Sequence, residues 1–164
     1  MMKKLNLIPL LFLLFTFVLL SCSKDDDNTQ PDFISAKINQ ENWNGDPEVY
    51  LNPENDTLTL LGAGDEQVVV FKIKFKEEGT YNLSDAQANY YTTIGGDVIT
   101  SFYTLDPELT SQLTITEYHS ESNTIKGNFK LNLIQDWSNP ETEIDLLNFT
   151  NGEFKGTIVE QSDF

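Results

Sequence analysis

The sequence predicts an all-β domain, an antiparallel β-sandwich or flattened barrel of about nine or ten strands. Three observations lead there. Apolar and polar residues alternate with period two in segment after segment. Turn-forming clusters of Gly, Asn, Asp and Pro recur roughly every 8–12 residues, the spacing of short antiparallel strands. Helical periodicity is scarce, and only Ser84–Ala88 suggests a helical turn.

The chain has 164 residues, the length of one domain. Ten Lys+Arg, all of them Lys, face 26 acids, for a net charge of −16. Such a chain would repel phosphate and has no guanidinium fork, so nucleic acid is excluded as a partner. One Cys and one His leave no internal disulfide, no Cys- or His-based metal site and no spare base for a serine triad. No cofactor is expected. With 39% hydrophobic residues the chain can build a core.

Residues 1–21 read as a signal peptide. Lys3 and Lys4 precede an apolar run, Leu5–Leu20, shorter than the roughly 20 residues a spanning helix needs. The run ends in Leu19-Leu20-Ser21-Cys22, which resembles a bacterial lipobox and implies lipidation of Cys22. Two or more acyl chains would make that attachment durable, since one chain alone binds only marginally. Cleavage before Cys22 removes two lysines and no acid, so eight lysines face 26 acids, a balance of −18. The polypeptide itself is then repelled by anionic lipid. Residues 22–31 form an acidic flexible tether closed by Pro31. Its Lys24-Asp25-Asp26 resembles the export signal of surface-exposed Bacteroidota lipoproteins, which implies the outer leaflet of the outer membrane.

Residues 32–160 then form a single β-domain. Phe33–Ile38 and Trp43–Leu51 flank a polar turn at Asn39–Asn42. Thr57–Leu61 leads through Gly62-Ala63-Gly64-Asp65 into Val68–Lys76, where Val69, Phe71, Ile73 and Phe75 share one face and lysines occupy the other. Gly79–Leu83 is a short strand. Asn89–Thr93 and Val98–Leu105 are joined by Ile94-Gly95-Gly96-Asp97. Leu113–Tyr118 and the alternating Ile125–Leu133 are expected to form a hairpin. Asp136–Thr142 reads as a loop bearing Trp137. Ile144–Thr150 and Glu153–Val159 follow, with a turn or bulge at Asn151-Gly152. The core is expected to hold Phe71, Ile73, Phe75, Ile115, Ile125, Phe129, Leu131, Phe149 and Phe154.

Several fragments in order carry a resemblance: Ala36-Lys-Ile-Asn39 with Trp43, Gly79-Thr80-Tyr81-x-Leu83, Leu113-Thr-Ile-Thr-x-Tyr118, Ile125-x-Gly127-x-Phe129 and Phe149-Thr-Asn-Gly152-x-Phe154. Together they resemble a family of small Bacteroidota lipoproteins of unknown function, the DUF6252-like group, over most of residues 33–159. The family's usual opening, Ala-x-Val-Asp-Gly, is here Ala36-Lys-Ile-Asn-Gln40, so the first hairpin is expected to differ in shape. The resemblance implies an anchor and a fold but carries no catalytic or binding residue.

Chemistry is sparse. His119 reads as an exposed turn residue. Asn44–Glu48, Asn52–Asp56 and Gly64–Glu66 are oxygen-rich, but lack any ordered calcium-loop spacing, so turn chemistry accounts for them. Asp56-Thr57-Leu58 resembles an O-glycosylation triplet of exported Bacteroidota proteins, with Thr57 as acceptor. Trp43, Tyr90, Tyr91, Tyr103 and Trp137 lie in or near turns or in weakly amphipathic strands, where aromatic rings can stack on a sugar or anchor a protein. The alternative is that they cap the ends of the sandwich. Trp137 is the best candidate for exposure.

The expected function is therefore a non-catalytic binding or accessory module, lipid-anchored at the cell surface, meeting a glycan or an outer-membrane protein. The alternatives are an acid-pair hydrolase of surface polysaccharide and a protective or inhibitory lipoprotein whose acidity steers a basic protein to it.

Overall fold

The computed structural model describes residues 30–141 and 144–162. Ten strands make one sheet: β1 (Phe33–Ile38), β2 (Glu41–Asn52), β3 (Thr57–Gly64), β4 (Gln67–Lys74), β5 (Gly79–Leu83), β6 (Ala88–Ile94), β7 (Val98–Leu105), β8 (Ser111–His119), β9 (Thr124–Ser138) and β10 (Leu146–Glu160). Asp85–Gln87 forms one 3₁₀ turn, the helical turn expected at Ser84–Ala88.

Eight strands close on themselves in a ring, in the order β1-β2-β3-β4-β6-β7-β9-β10. All these pairings are antiparallel. The last residues of β10 also run parallel to β2, with Ile158 opposite Val49. β9 is long enough to serve two neighbours on one side. Its first half pairs with β8, and its second half, from Leu133 on, pairs with β7. β8 therefore branches off the ring and carries β5 as the sheet's free edge.

Asn132 sits at that fork and is buried. Its N–H donates to Ser111 Oγ (2.9 Å), its Nδ2 donates to Thr110 O (2.7 Å), and its carbonyl accepts from the Asp106 N–H (3.0 Å). The polar atoms freed by the change of partner are thus paired within the fork.

Alternation delivers the core. Every expected core residue is buried except Phe75, which is partly buried and meets Tyr118 edge to face at 5.2 Å. Phe71, Phe129 and Phe149 pack against one another at the centre, with centroids 5.0 and 6.3 Å apart. The interior is packed with side chains, not hollow.

Turn chemistry sets the hairpins. Asn39 and Gln40 both have positive φ, 48° and 78°, between the registered pair Ile38 and Glu41. This is a tight two-residue turn of the primed kind, made with Gln where Gly is favoured. Asn151, at φ 52°, marks a bulge. The two segments expected on either side of Asn151-Gly152 are therefore one continuous strand, β10. The expected loop at Asp136–Thr142 is likewise shortened, because β9 runs on through Ser138 to pair with β7. Asn44–Glu48 is strand, held between β1 and β3, and not a loop.

Candidate functional site

Neighbouring residues on a strand point to opposite sides of the sheet, and this divides the expected aromatics. Tyr90 faces the interior and Tyr91 the exterior of β6. On the outer face the register places Tyr91 opposite Phe102, and Phe102 opposite Trp137, across β6, β7 and β9. The Tyr91 and Phe102 rings are near parallel, 13° apart, with centroids 6.4 Å apart. Trp137 is 42% exposed. It lines a shallow hollow of about 400 Å³ with Gln135, Asp136, Ser138, Glu141 and Asp145. Val68 continues the row onto β4, opposite Tyr91. Ile94, Val98 and Ile99 are exposed at the tip of the same β6–β7 hairpin.

Trp43, Tyr90 and Tyr103 are inside. Each is more than nine-tenths buried, so none presents a free face for stacking. The physical reason is the strand phase: all three project into the ring. Trp43 and Tyr90 meet Phe149 edge-on at 6.1 and 5.4 Å, and Tyr90 lies 5.8 Å from Tyr103. Tyr103 donates to Ile144 O (3.1 Å). Burial, reinforced by neighbouring Tyr103, pushes the Tyr90 phenol well above its ordinary range. The Trp43 Nε1–H is buried and finds no acceptor among the described residues.

These three rings sit below one end of the ring of strands. Four connections gather there. The β1–β2 turn is tied to β10 by Asn39 N–H to Asn148 O (3.0 Å). The β3–β4 turn is tied to the β6–β7 hairpin, since Glu66 Oε1 accepts from the Gly95 N–H (2.8 Å) and Glu66 O from the Thr93 N–H (2.8 Å). Asn139 N–H donates to Thr100 O (2.7 Å), which holds the segment after β9 to β7. Between them opens a recess of about 400 Å³, with Trp43 and Tyr90 in its wall.

The family model of DUF6252, a domain of unknown function, matches residues 30–157. The chain belongs to the DUF6252 family. No curated protein and no solved structure matches it.

In this DUF6252 domain the remaining expected sites are turn and surface groups. His119 is exposed and stands 3.8 Å from Glu117. Among the described residues no three His, Cys, Asp or Glu side chains converge as metal ligands would. In the Asn52–Asp56 turn, Asn52 Oδ1 accepts from the Glu54 N–H (2.9 Å) and Asn55 Oδ1 from the Thr57 N–H (3.0 Å). Lys74 Nζ donates to Asn55 O and stands 3.4 Å from Asp56. Thr57 opens β3 and is half-buried. Cys22 lies outside the described residues. Phe102 was not singled out by sequence. Its period-two position beside Tyr103 was a visible signal, but the register joining it to Tyr91 and Trp137 was not.

Proposed function

We propose that this DUF6252 protein is a surface-exposed outer-membrane lipoprotein of Bacteroidota, held by acyl chains on Cys22, whose β-domain is a non-catalytic module that binds neutral glycan. The observation that carries the binding role is the outward row Tyr91–Phe102–Trp137 on three adjacent strands. Aromatic rings present an apolar surface against which the C–H face of a sugar packs, while its hydroxyls stay hydrated at the rim. Gln135, Ser138 and Asp136 beside Trp137 supply polar atoms at that rim. Strands place the rings on a rigid platform, so little ordering is needed on binding. The charge of the chain disfavours acidic polysaccharides. The lipobox at Leu19–Cys22 and the following Lys24-Asp25-Asp26 support the anchor and its surface placement.

Affinity electrophoresis of the unacylated Cys22→Ala chain in gels of neutral polysaccharides tests the binding role. Retardation is expected on at least one, unchanged by 0.5 M salt and lost in Trp137→Ala. No retardation on a broad panel would overturn the glycan reading. Binding that collapses with salt would instead favour a basic protein partner. Protease treatment of intact cells tests the placement: full protection until the membrane is broken would refute surface exposure.

A further inference from the structure

The recess at the end of the ring is distinct from the outer aromatic row and does not rest on it. We propose that it is a second binding site, for a single uncharged saccharide unit or a polyol of that size. Mouths of strand rings are a recurrent place for small ligands, and about 400 Å³ falls within the usual range of roughly 300–1,000 Å³.

The polar groups define the chemistry. The Trp43 Nε1–H is a donor only, is buried, and has no acceptor among the described residues. Such a group costs about 1–3 kcal/mol when left unpaired, so the site selects a partner bearing an acceptor oxygen. Trp43 lines the recess, and solvent does not reach this atom until the wall yields. The atom sits against Gly64, where a Cβ would stand 2.6 Å from it, and the registered partner of Gly64, Gln67, lines the recess. The Tyr90 hydroxyl and the side-chain amides of Asn42 and Gln67 also make no hydrogen bond to the described residues. Amides and hydroxyls both donate and accept, which suits a ring of hydroxyl groups. Ile38 and Leu147 supply an apolar patch for the ligand's C–H face.

Charge narrows the class further. Glu41 is the one charged side chain in the lining, and the chain as a whole carries −16, so an anion is disfavoured. One carboxylate alone does not hold a metal ion. An uncharged polyhydroxylated ligand satisfies every group present.

The test uses the full mature chain with Cys22→Ala, labelled with ¹⁵N. Its two tryptophans give two indole N–H resonances, one for Trp43 and one for Trp137. Glucose, galactose, mannose, N-acetylglucosamine and myo-inositol are titrated singly to 50 mM. At least one is expected to move the Trp43 resonance downfield in a saturating manner. Asn42→Ala and Gln67→Ala, both at the rim, are expected to weaken that sugar at least tenfold while leaving the rest of the spectrum intact. A Trp43 resonance unmoved by all five overturns the proposal. So does a shift confined to Trp137, which would place the sugar on the outer row alone.

Discussion

Phe129 lies over Gly152, its registered partner across β9 and β10, and a Cβ at residue 152 would stand 2.6 Å from the ring. Phe154 covers Gly127 reciprocally, at 2.7 Å, so two Phe–Gly pairs lock the longest strand pairing in the molecule. At Gly127 an added methyl would also drive into the backbone oxygen of Thr114. A ring can shift by rotation, whereas a paired strand moves only with its neighbours. Gly152→Ala is expected to cost about 1–3 kcal/mol, the usual range for overpacking, and Gly127→Ala more. Urea midpoints of the two variants check this, and a smaller loss for Gly127→Ala would contradict it.

At the fork of β9, the side chains of Ser111 and Asn132 pair polar groups that the strand ladders leave free. Asn132→Leu strands the Thr110 carbonyl, and Ser111→Ala strands the Asn132 N–H. Each is expected to cost about 1–3 kcal/mol, the desolvation penalty of a buried unpaired group. Because both act on one cluster, the double variant should lose clearly less than the sum. A double-mutant cycle by urea denaturation measures the coupling, and strict additivity would show that the cluster does not act as a unit.

Much of this fold was readable residue by residue. The alternation of Val69, Phe71 and Ile73 against Lys72 and Lys74 gave both the strand and its buried face. The fork was not readable, because nothing local in Ile125–Leu133 tells that one edge of β9 changes neighbour midway. The same non-local register hid the candidate site. Tyr90 and Tyr91 had to face opposite ways, but which one faced out depended on Val69 and Val68 opposite them on β4. Asn151 shows the opposite limit. Asn-Gly favours a hairpin turn locally, yet the long partner β9 keeps β10 continuous and reduces that signal to a bulge.

The first hairpin should be improvable. Gln40 holds φ at 78° in a position where a side chain is strained and Gly is not. Gln40→Gly relieves about 1–2 kcal/mol of strain but adds about 0.5–1 kcal/mol of unfolded-state entropy. A net gain of about 0.5 kcal/mol is expected, seen as a higher melting temperature. A lower one would mean that the Gln40 side chain contributes contacts worth more than the strain.

The two tryptophans occupy opposite environments, 7% exposed for Trp43 and 42% for Trp137. Trp137→Phe therefore leaves emission that is blue-shifted and resistant to acrylamide. Trp43→Phe leaves emission that is red-shifted and readily quenched. Stern–Volmer slopes of the two variants are expected to differ several-fold. Equal slopes would mean that the outer row is covered, or the recess wide open, in solution.

Alkaline stability follows from Tyr90. Burial, with Tyr103 beside it, raises the folded-state pKa above the unfolded value of 10.0. The folded chain then holds this proton more tightly than the unfolded chain does. The stabilisation is complete below pH 10.0 and is lost as pH rises from there towards the folded pKa. Ionisation would place a phenolate beside Phe149 and Tyr103, so the fold is expected to lose stability. The measurement is melting temperature between pH 8 and pH 11.5 for the wild type and Tyr90→Phe. The wild-type curve should fall more steeply above pH 10.0, because Phe has no proton to lose. Parallel curves would show that the recess solvates the Tyr90 phenolate well enough for it to titrate without cost to the fold.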